Sequence, residues 1–145
     1  MANAVHDNIF VDSNFLIALY NVSDNLHQGA RELAKRVSDQ GSSLYVSNYV
    51  LLEVLTVLSQ KIDHPTAIKV GENLRNSGKI TNVHIDEALN DQSWQIFQAI
   101  QAKNMSFVDC SHIAVMNYVG IKRLLSFDTT DFKPLQKQYN FALFR

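Results

Sequence analysis

Short apolar runs alternate with longer amphipathic segments along most of the chain. The runs that are typical of buried strands lie at 9–11, 44–46 and 124–127, with an alternating run at 80–85 and an apolar tail at 141–144. Apolar residues recur at helical spacing over 15–20, 25–40, 47–58, 65–76, 86–103 and from about 109 onward. Helices that separate short strands indicate an α/β fold.

Two of these predicted helices carry expectations about burial. The segment 47–58 is apolar on almost every side, which predicts a largely buried helix that begins at Ser47 or Asn48. The segment 86–103 has an apolar stripe that we assign to the core rather than to a platform on which nucleic-acid bases stack. Its members are Leu89, Trp94, Phe97 and Ile100.

Four carboxylates interrupt or end the apolar segments. Asp12 and Asp128 each follow a predicted strand, Asp109 lies near the start of a predicted helix, and Glu53 lies inside the apolar helix 47–58. Burying an unpaired carboxylate costs several kcal/mol even after the surrounding protein relaxes. Glu53 in particular is expected to meet a cation or hydrogen-bond donors, or to be protonated.

Each acid also has a purely structural interpretation. Asp12 and Asp109 could cap the helices that follow them, and Asp128 could form an Asx turn. Glu53 could lie on a narrow solvent-facing stripe with Ser59 and Gln60. The four acids would lack a shared function only if all four structural interpretations were correct at the same time.

A parallel sheet would bring these acids together, because the carboxyl ends of its strands line the crevice in which ligands bind. Two ionised carboxylates about 4 Å apart repel by roughly 4 kcal/mol at an effective dielectric near 20. Protons or divalent cations must neutralise such a cluster. Ligand sets made of oxygen favour Mg²⁺ or Mn²⁺, whereas zinc and copper favour histidine and cysteine.

Four motifs in order carry a family resemblance: Val-Asp-Ser-Asn at 11–14, Ser-Asn-Tyr-Val-Leu-Leu-Glu at 47–53, Phe-Val-Asp at 107–109 and Ser-Phe-Asp-Thr-Thr-Asp-Phe at 126–132. From about residue 8 to the end, the chain resembles PIN-domain ribonucleases, in particular the VapC-like toxins of bacterial toxin–antitoxin pairs. The resemblance implies a three-layer α/β/α domain with a mostly parallel central sheet. It also implies a metal-dependent endonuclease that acts on single-stranded or looped RNA with Mg²⁺ or Mn²⁺.

Carried over residue by residue, the resemblance assigns the metal-site acids to Asp12, Glu53, Asp109 and Asp128. Asp131 competes for the fourth place, because many relatives have one residue between their last two acids where this chain has two, Thr129 and Thr130. Small polar residues stand where the family often has a side chain near metal or phosphate, although helix or turn capping explains them equally well. They are Ser13, Asn14 and Ser126.

The resemblance further implies a homodimer and a cognate antitoxin protein whose tail blocks the substrate groove. The apolar first helix, 15–20, is either part of one of these contacts or part of the core.

Composition agrees with these expectations. With 145 residues of which 46% are hydrophobic, the chain is expected to form a single domain over 1–145, with 1–7 flexible. The net charge is −1, yet setting aside the five candidate acids leaves nine acidic residues against 13 Lys and Arg, a balance of about +4 that suits RNA. A single cysteine, Cys110, and the lack of an evident signal or membrane-spanning run predict a cytoplasmic protein with no membrane contact.

Other classes fit less well. Receiver domains and phosphatases with an Asp-x-Asp nucleophile need a second acid next to the first strand, and here Ser13 and Asn14 follow Asp12. A catalytically inactive PIN-like module that binds RNA or protein remains the alternative. His112, three residues after Asp109, could approach the acids, but we assign it to inward helix packing.

Overall fold

The computed structural model describes residues 7–101 and 104–144. Its five strands form one sheet, in the order β3-β2-β1-β4-β5, and every neighbouring pair is parallel. The strands are β1 Asn8–Val11, β2 Ser43–Ser47, β3 Ile80–Val83, β4 Arg123–Leu125 and β5 Ala142–Leu143. Residues 1–6 of the segment expected to be flexible lie outside the described ranges.

Helices fill the connections at the predicted places. They are α1 Ser13–Tyr20, α2 His27–Asp39, α3 Asn48–Lys61, α4 His64–Asn76, α5 Glu87–Ala99 and α6 Phe107–Val119, followed by the short α7 Thr129–Phe132, a 3-10 turn Lys133–Leu135 and α8 Gln136–Tyr139. Side chains of Ser47, Asp63 and Asp86 accept hydrogen bonds from backbone N–H groups in the first turns of α3, α4 and α5, and so define where these helices begin. The short helices after β4 were not predicted.

The chain winds in two directions from the middle of the sheet. From β1 it moves to β2 and then to β3 through α1 to α4, and α5 and α6 then carry it back across to β4 on the other side of β1. Because such crossovers are right-handed, the two sets of helices cover opposite faces, which gives the expected three-layer α/β/α architecture. The direction reverses between β1 and β4, where open sheets of this kind form ligand crevices.

The core lies on both faces of the sheet, and the first helix belongs to it. Ile9, Phe10 and Val11 of β1 have no exposed surface, and Phe15 and Leu16 of α1 are almost fully buried. Of the two interpretations of the first helix, burial in the core is therefore the one that this structure supports. No helix in the described ranges is long and apolar enough to cross a membrane.

The expectation that α3 is buried on almost every side is wrong. Val50, Val54 and Leu58 are buried, whereas Leu52 is 68% exposed and Glu53 is also exposed. One side of α3 packs against α1, α4 and the sheet, and that contact covers only a single face of the helix.

The core assignment is also wrong for two aromatic residues of α5. Leu89 is buried, but Trp94 is 50% and Phe97 is 38% exposed. Their rings lie 5.8 Å apart, and Phe97 contacts Phe107 of α6 at 5.9 Å between ring centroids. These three residues form an aromatic cluster at the surface where α5 meets α6.

Candidate metal centre at the carboxyl edge of the sheet

Asp12 stands at the point where the strand order reverses. Its backbone N–H donates to the carbonyl of Leu125 at 2.9 Å, which holds the end of β1 against the end of β4. Its side chain is buried, and Oδ1 accepts from the backbone N–H of Ser13 at 2.7 Å. Asp12 therefore caps α1 while its carboxylate lies in the crevice, so the structural and functional interpretations are compatible.

Ser126 and Asn14 connect the loop after β4 to this carboxylate. The hydroxyl of Ser126 donates to Oδ2 of Asp12 at 2.7 Å and accepts from the backbone N–H of Asp128 at 3.0 Å. Nδ2 of Asn14 lies 3.3 Å from the Ser126 hydroxyl, and Oδ1 of Asn14 accepts from the backbone N–H of Phe127 at 3.1 Å. Together with Ser13, these small polar residues surround Asp12 and fix the loop that carries Asp128.

Asp109 approaches from the start of α6. It forms a reciprocal capping box with Ser106, in which the Ser106 hydroxyl accepts from the backbone N–H of Asp109 and Oδ2 of Asp109 accepts from that of Ser106, both at 3.0 Å. Asp109 therefore helps to cap α6, although from the third residue of the helix, with Ser106 as the N-cap, and this contact uses only one carboxylate oxygen. Asp12, Asp109 and His112 each offer one possible metal-ligand atom, and these atoms lie within 4.8 Å of one another.

His112 is the group whose importance the sequence did not reveal. Its side chain is fully buried, as inward packing predicts, but Nε2 lies 2.9 Å from Oδ1 of Asp12. The signal was its spacing from Asp109, since residues three apart lie on the same side of a helix.

The pKa values of the acids reflect their crowding. Burial raises the pKa of Asp109 and that of Glu53, and the negative charge of Asp12 adds to both shifts. Burial acts in the same direction on Asp12, but the neighbouring His112 and the hydrogen bonds from Ser126 and Ser13 prevail and lower its pKa. For His112, burial opposes the charged form, yet the Asp12 carboxylate raises its pKa.

Glu53 and Asp128 lie on the outer side of this group. Both are exposed, yet each interacts electrostatically with Asp12 and Asp109. Burial raises the pKa of Asp128, and the charges of Asp12, Asp109 and Asp131 raise it further. Asp131 lies in the first turn of α7, one helical turn beyond Asp128. Asp128 thus interacts electrostatically with Asp12 and Asp109, and the choice between Asp128 and Asp131 as the fourth metal-site acid stays a prediction.

Cys110 follows Asp109 directly but has no catalytic character. Burial, with a further contribution from the charge of Asp109, raises the pKa of its thiol to about 11. The thiol is protonated near neutral pH and lies in the core.

The crevice has the chemistry of a divalent-cation site. Carboxylates crowd at one point and resist being ionised together, so a cation that neutralises them relieves their mutual repulsion. Carboxylate oxygens are ligands that hard cations prefer. The residues present therefore fit a bound divalent cation.

Comparison with known proteins agrees with this geometry. The PIN domain family matches residues 9–137. The chain is 32% identical over 120 residues to the 23S rRNA-specific endonuclease VapC20 of Mycobacterium tuberculosis. The aligned region covers 83% of this chain and 88% of that protein.

Solved structures show the same relationship. The crystal structure of M. tuberculosis VapC20, described as a sarcin–ricin loop cleaving toxin, superposes with a TM-score of 0.76 at 31% identity, over 87% of this chain and 93% of that one. VapBC-1 from nontypeable Haemophilus influenzae shares the fold, with a TM-score of 0.66 at 15% identity over 94% of this chain and 96% of that one. From its ordered acidic motifs, its fold and these relatives, the chain belongs to the PIN-domain family and is VapC-like.

Proposed function

We propose that this protein is a metal-dependent endoribonuclease and the toxin of a toxin–antitoxin pair, with Mg²⁺ or Mn²⁺ as its cofactor. The observation that carries the proposal is the meeting of Asp12 and Asp109 at the reversal point of the sheet, in a chain that belongs to the PIN-domain family. The reaction is hydrolysis of an RNA phosphodiester bond.

The acids act chiefly as ligands and as groups that orient water. Asp12 and Asp109 would hold the cation from the inner side, and Glu53 and Asp128 would complete the site from the exposed side, where a phosphate can approach. Ser13, Asn14 and Ser126 keep Asp12 and the backbone of Asp128 in place. A divalent cation in such a site supplies activation of a water for attack at phosphorus and stabilises the negative charge that develops on the phosphate oxygens.

RNA is supported as substrate by the rRNA-specific relative and by the charge outside the acid cluster. Lys133 and Lys137 are exposed in the segment that follows Asp128, where they can meet phosphates. Arg123, by contrast, pairs with Asp7 and lies over the ring of Phe144 at 4.7 Å, so part of its role is structural. An RNA substrate would be met in the cytoplasm.

The test compares wild-type protein with Asp12→Asn and Glu53→Gln on total RNA and on isolated ribosomes. We expect cleavage with Mg²⁺ or Mn²⁺ that EDTA abolishes, and we expect both variants to lose it while keeping their circular dichroism spectrum. Matched controls are Asp91→Asn and Glu72→Gln, since both residues are exposed and lie outside the cluster. Undiminished cleavage by both folded site variants would refute the site.

A cognate antitoxin is the proposed partner, and co-expression tests it. The support is that the chain shares its fold with a protein solved as a toxin–antitoxin complex from Klebsiella pneumoniae, with a TM-score of 0.60. Expression of the wild type alone should arrest growth, and expression of Asp12→Asn should not. Growth arrest that persists in folded Asp12→Asn would argue against a nuclease toxin. RNA binding without cleavage under any metal would favour the inactive binding module.

Homodimer formation is part of the proposal and has a surface to support it. Leu52 lines a groove together with Glu53 and Phe107, and Phe107 continues into the aromatic cluster with Trp94 and Phe97. A continuous exposed apolar surface of this kind is typical of a protein interface. Light scattering should show that the wild type is a dimer and that Phe97→Glu is a monomer. Val22 is 79% exposed and lies outside this surface, so Val22→Glu should leave the dimer intact. A monomeric wild type would remove the dimer from the proposal.

A further inference from the structure

His112 is held in a single orientation inside the protein. It lies one helical turn after Asp109 on α6 and has no exposed surface. The ring of Phe10 packs against it at 5.0 Å and that of Phe132 at 6.4 Å between centroids. These two ring contacts and the complete burial restrict the imidazole, whose Nε2 lies 2.9 Å from Oδ1 of Asp12.

The two ring nitrogens have different surroundings. Nδ1 is buried and has no hydrogen-bond partner in the part of the chain that the structure describes. Nε2 lies 2.9 Å from Oδ1 of the Asp12 carboxylate, and because an ionised carboxylate can only accept a hydrogen bond, Nε2 donates. A nitrogen that donates a proton to a carboxylate has no lone pair left for a cation. The arrangement therefore differs from that of a histidine ligand.

The donors around Asp12 are unevenly shared between its two oxygens. Oδ1 receives the backbone N–H of Ser13 at 2.7 Å and Nε2 of His112 at 2.9 Å, and the Ser13 hydroxyl lies 3.3 Å away. Within residues 7–101 and 104–144, Oδ2 receives only the Ser126 hydroxyl, at 2.7 Å. Each carboxylate oxygen has about two lone-pair sites. Oδ1 is thus fully used, and Oδ2 keeps a lone pair for a cation.

We propose that His112 is a positioning residue, which donates through Nε2 to Oδ1 of Asp12 and so presents Oδ2 to the cation shared with Asp109. This inference rests on the proposed metal-dependent function. Hydrogen bonds that orient a ligating group are typically worth about 10–100-fold in metal affinity. Removal of the His112 donor should therefore weaken cation binding, although His112 does not itself touch the cation.

Two conservative variants separate the two nitrogens. The amide nitrogen of Gln can reach the place of Nε2, whereas that of Asn reaches only the place of Nδ1. In calorimetric titrations of purified protein with Mn²⁺ alone, we expect His112→Gln to stay within about threefold of wild type. We expect His112→Asn and His112→Phe to bind about 10–100-fold more weakly. His84→Asn, at an exposed histidine, is the control and should bind as wild type does.

A measurement on the wild-type protein tests whether His112 binds the cation directly, even if one of the variants fails to fold. Pulsed electron paramagnetic resonance of the Mn²⁺-loaded protein should show no coupling from a directly bound imidazole nitrogen, and such a coupling would make His112 a ligand and overturn the proposal. Wild-type affinity in folded His112→Phe, or a loss in His112→Gln as large as in His112→Phe, would also overturn it. Each of these results would leave the proposed nuclease function standing. A wild type that binds no Mn²⁺ would contradict both the positioning role of His112 and the metal-dependent function.

Discussion

At the residue scale, capping a helix and building a metal site are compatible tasks for one carboxylate. Oδ1 of Asp12 caps α1 and Oδ2 of Asp109 closes a capping box on α6. Each retains a second oxygen that this local contact does not use. The local interpretations of these acids were correct and still left room for a shared function, because a carboxylate has more acceptor sites than a cap requires.

The two competing acids of the last motif should behave differently. Asp128 interacts electrostatically with Asp12 and Asp109, and Asp131 interacts with Asp128. We expect Asp128→Asn to lower metal-dependent cleavage at least as much as the loss of an orienting partner does, about 10–100-fold, and Asp131→Asn to change it by less than about threefold. Initial cleavage rates at saturating Mg²⁺ measure both. A larger loss of cleavage in Asp131→Asn than in Asp128→Asn would assign the fourth metal-site acid to Asp131.

At the element scale, α3 combines a buried face and an open one. Val50, Val54 and Leu58 lie at helical spacing against the rest of the fold, and Leu52 and Glu53 lie on the other side. Glu53 therefore reaches the acid cluster from the solvent side rather than from within the core. The apolar residues around it belong to an open surface, and the burial argument that singled it out does not explain its position.

The two faces of α3 predict opposite outcomes for the same substitution. Leu58 has no exposed surface, so Leu58→Ala leaves a cavity and should lower the free energy of unfolding by about 2–5 kcal/mol. Leu52 is 68% exposed, so Leu52→Ala should change it by no more than about 0.5 kcal/mol. Urea denaturation at low protein concentration, where self-association contributes least, measures both. Equal losses would mean that the open face is covered even in the monomer.

At the scale of the whole molecule, topology concentrates negative charge. Strands and helices far apart in sequence deliver their acids to one edge of the sheet, where the order of strands reverses. The pKa values of Glu53, Asp109 and Asp128 are raised there, by burial first and then by one another's charge. The metal-free fold consequently carries an electrostatic cost that the unfolded chain does not.

That cost predicts how the stability of the metal-free protein depends on pH. Where folding raises the pKa of a carboxyl group, the folded state binds more protons, so stability falls as pH rises from the unfolded value near 4 through the folded value. In the double variant Glu53→Gln, Asp128→Asn, we expect stability to decrease less as the pH rises. Thermal unfolding in EDTA between pH 4 and 7 measures it. Identical pH profiles for the two proteins would contradict the shared cluster.

A bound cation should reverse the effect near neutral pH. Mg²⁺ or Mn²⁺ that binds only the folded state stabilises it by an amount that grows with the logarithm of concentration above the dissociation constant. We expect the midpoint of thermal unfolding to rise with added metal in the wild type and much less in Asp12→Asn. A rise of equal size in the two proteins would place the cation elsewhere.

The sequence by itself determined the order of the strands and of the six longer helices, the α/β class and the order of the four acidic motifs. Hydrophobic spacing and capping residues such as Ser47 are local signals, and the four acidic motifs keep their order along the chain. Only the tertiary structure decided which side of α3 is open, that Trp94 and Phe97 reach the surface, and that His112 meets Asp12 across 100 positions of sequence. The reason is physical, because exposure and contact between distant residues depend on how elements pack, whereas helix and strand formation follows largely from neighbours along the chain.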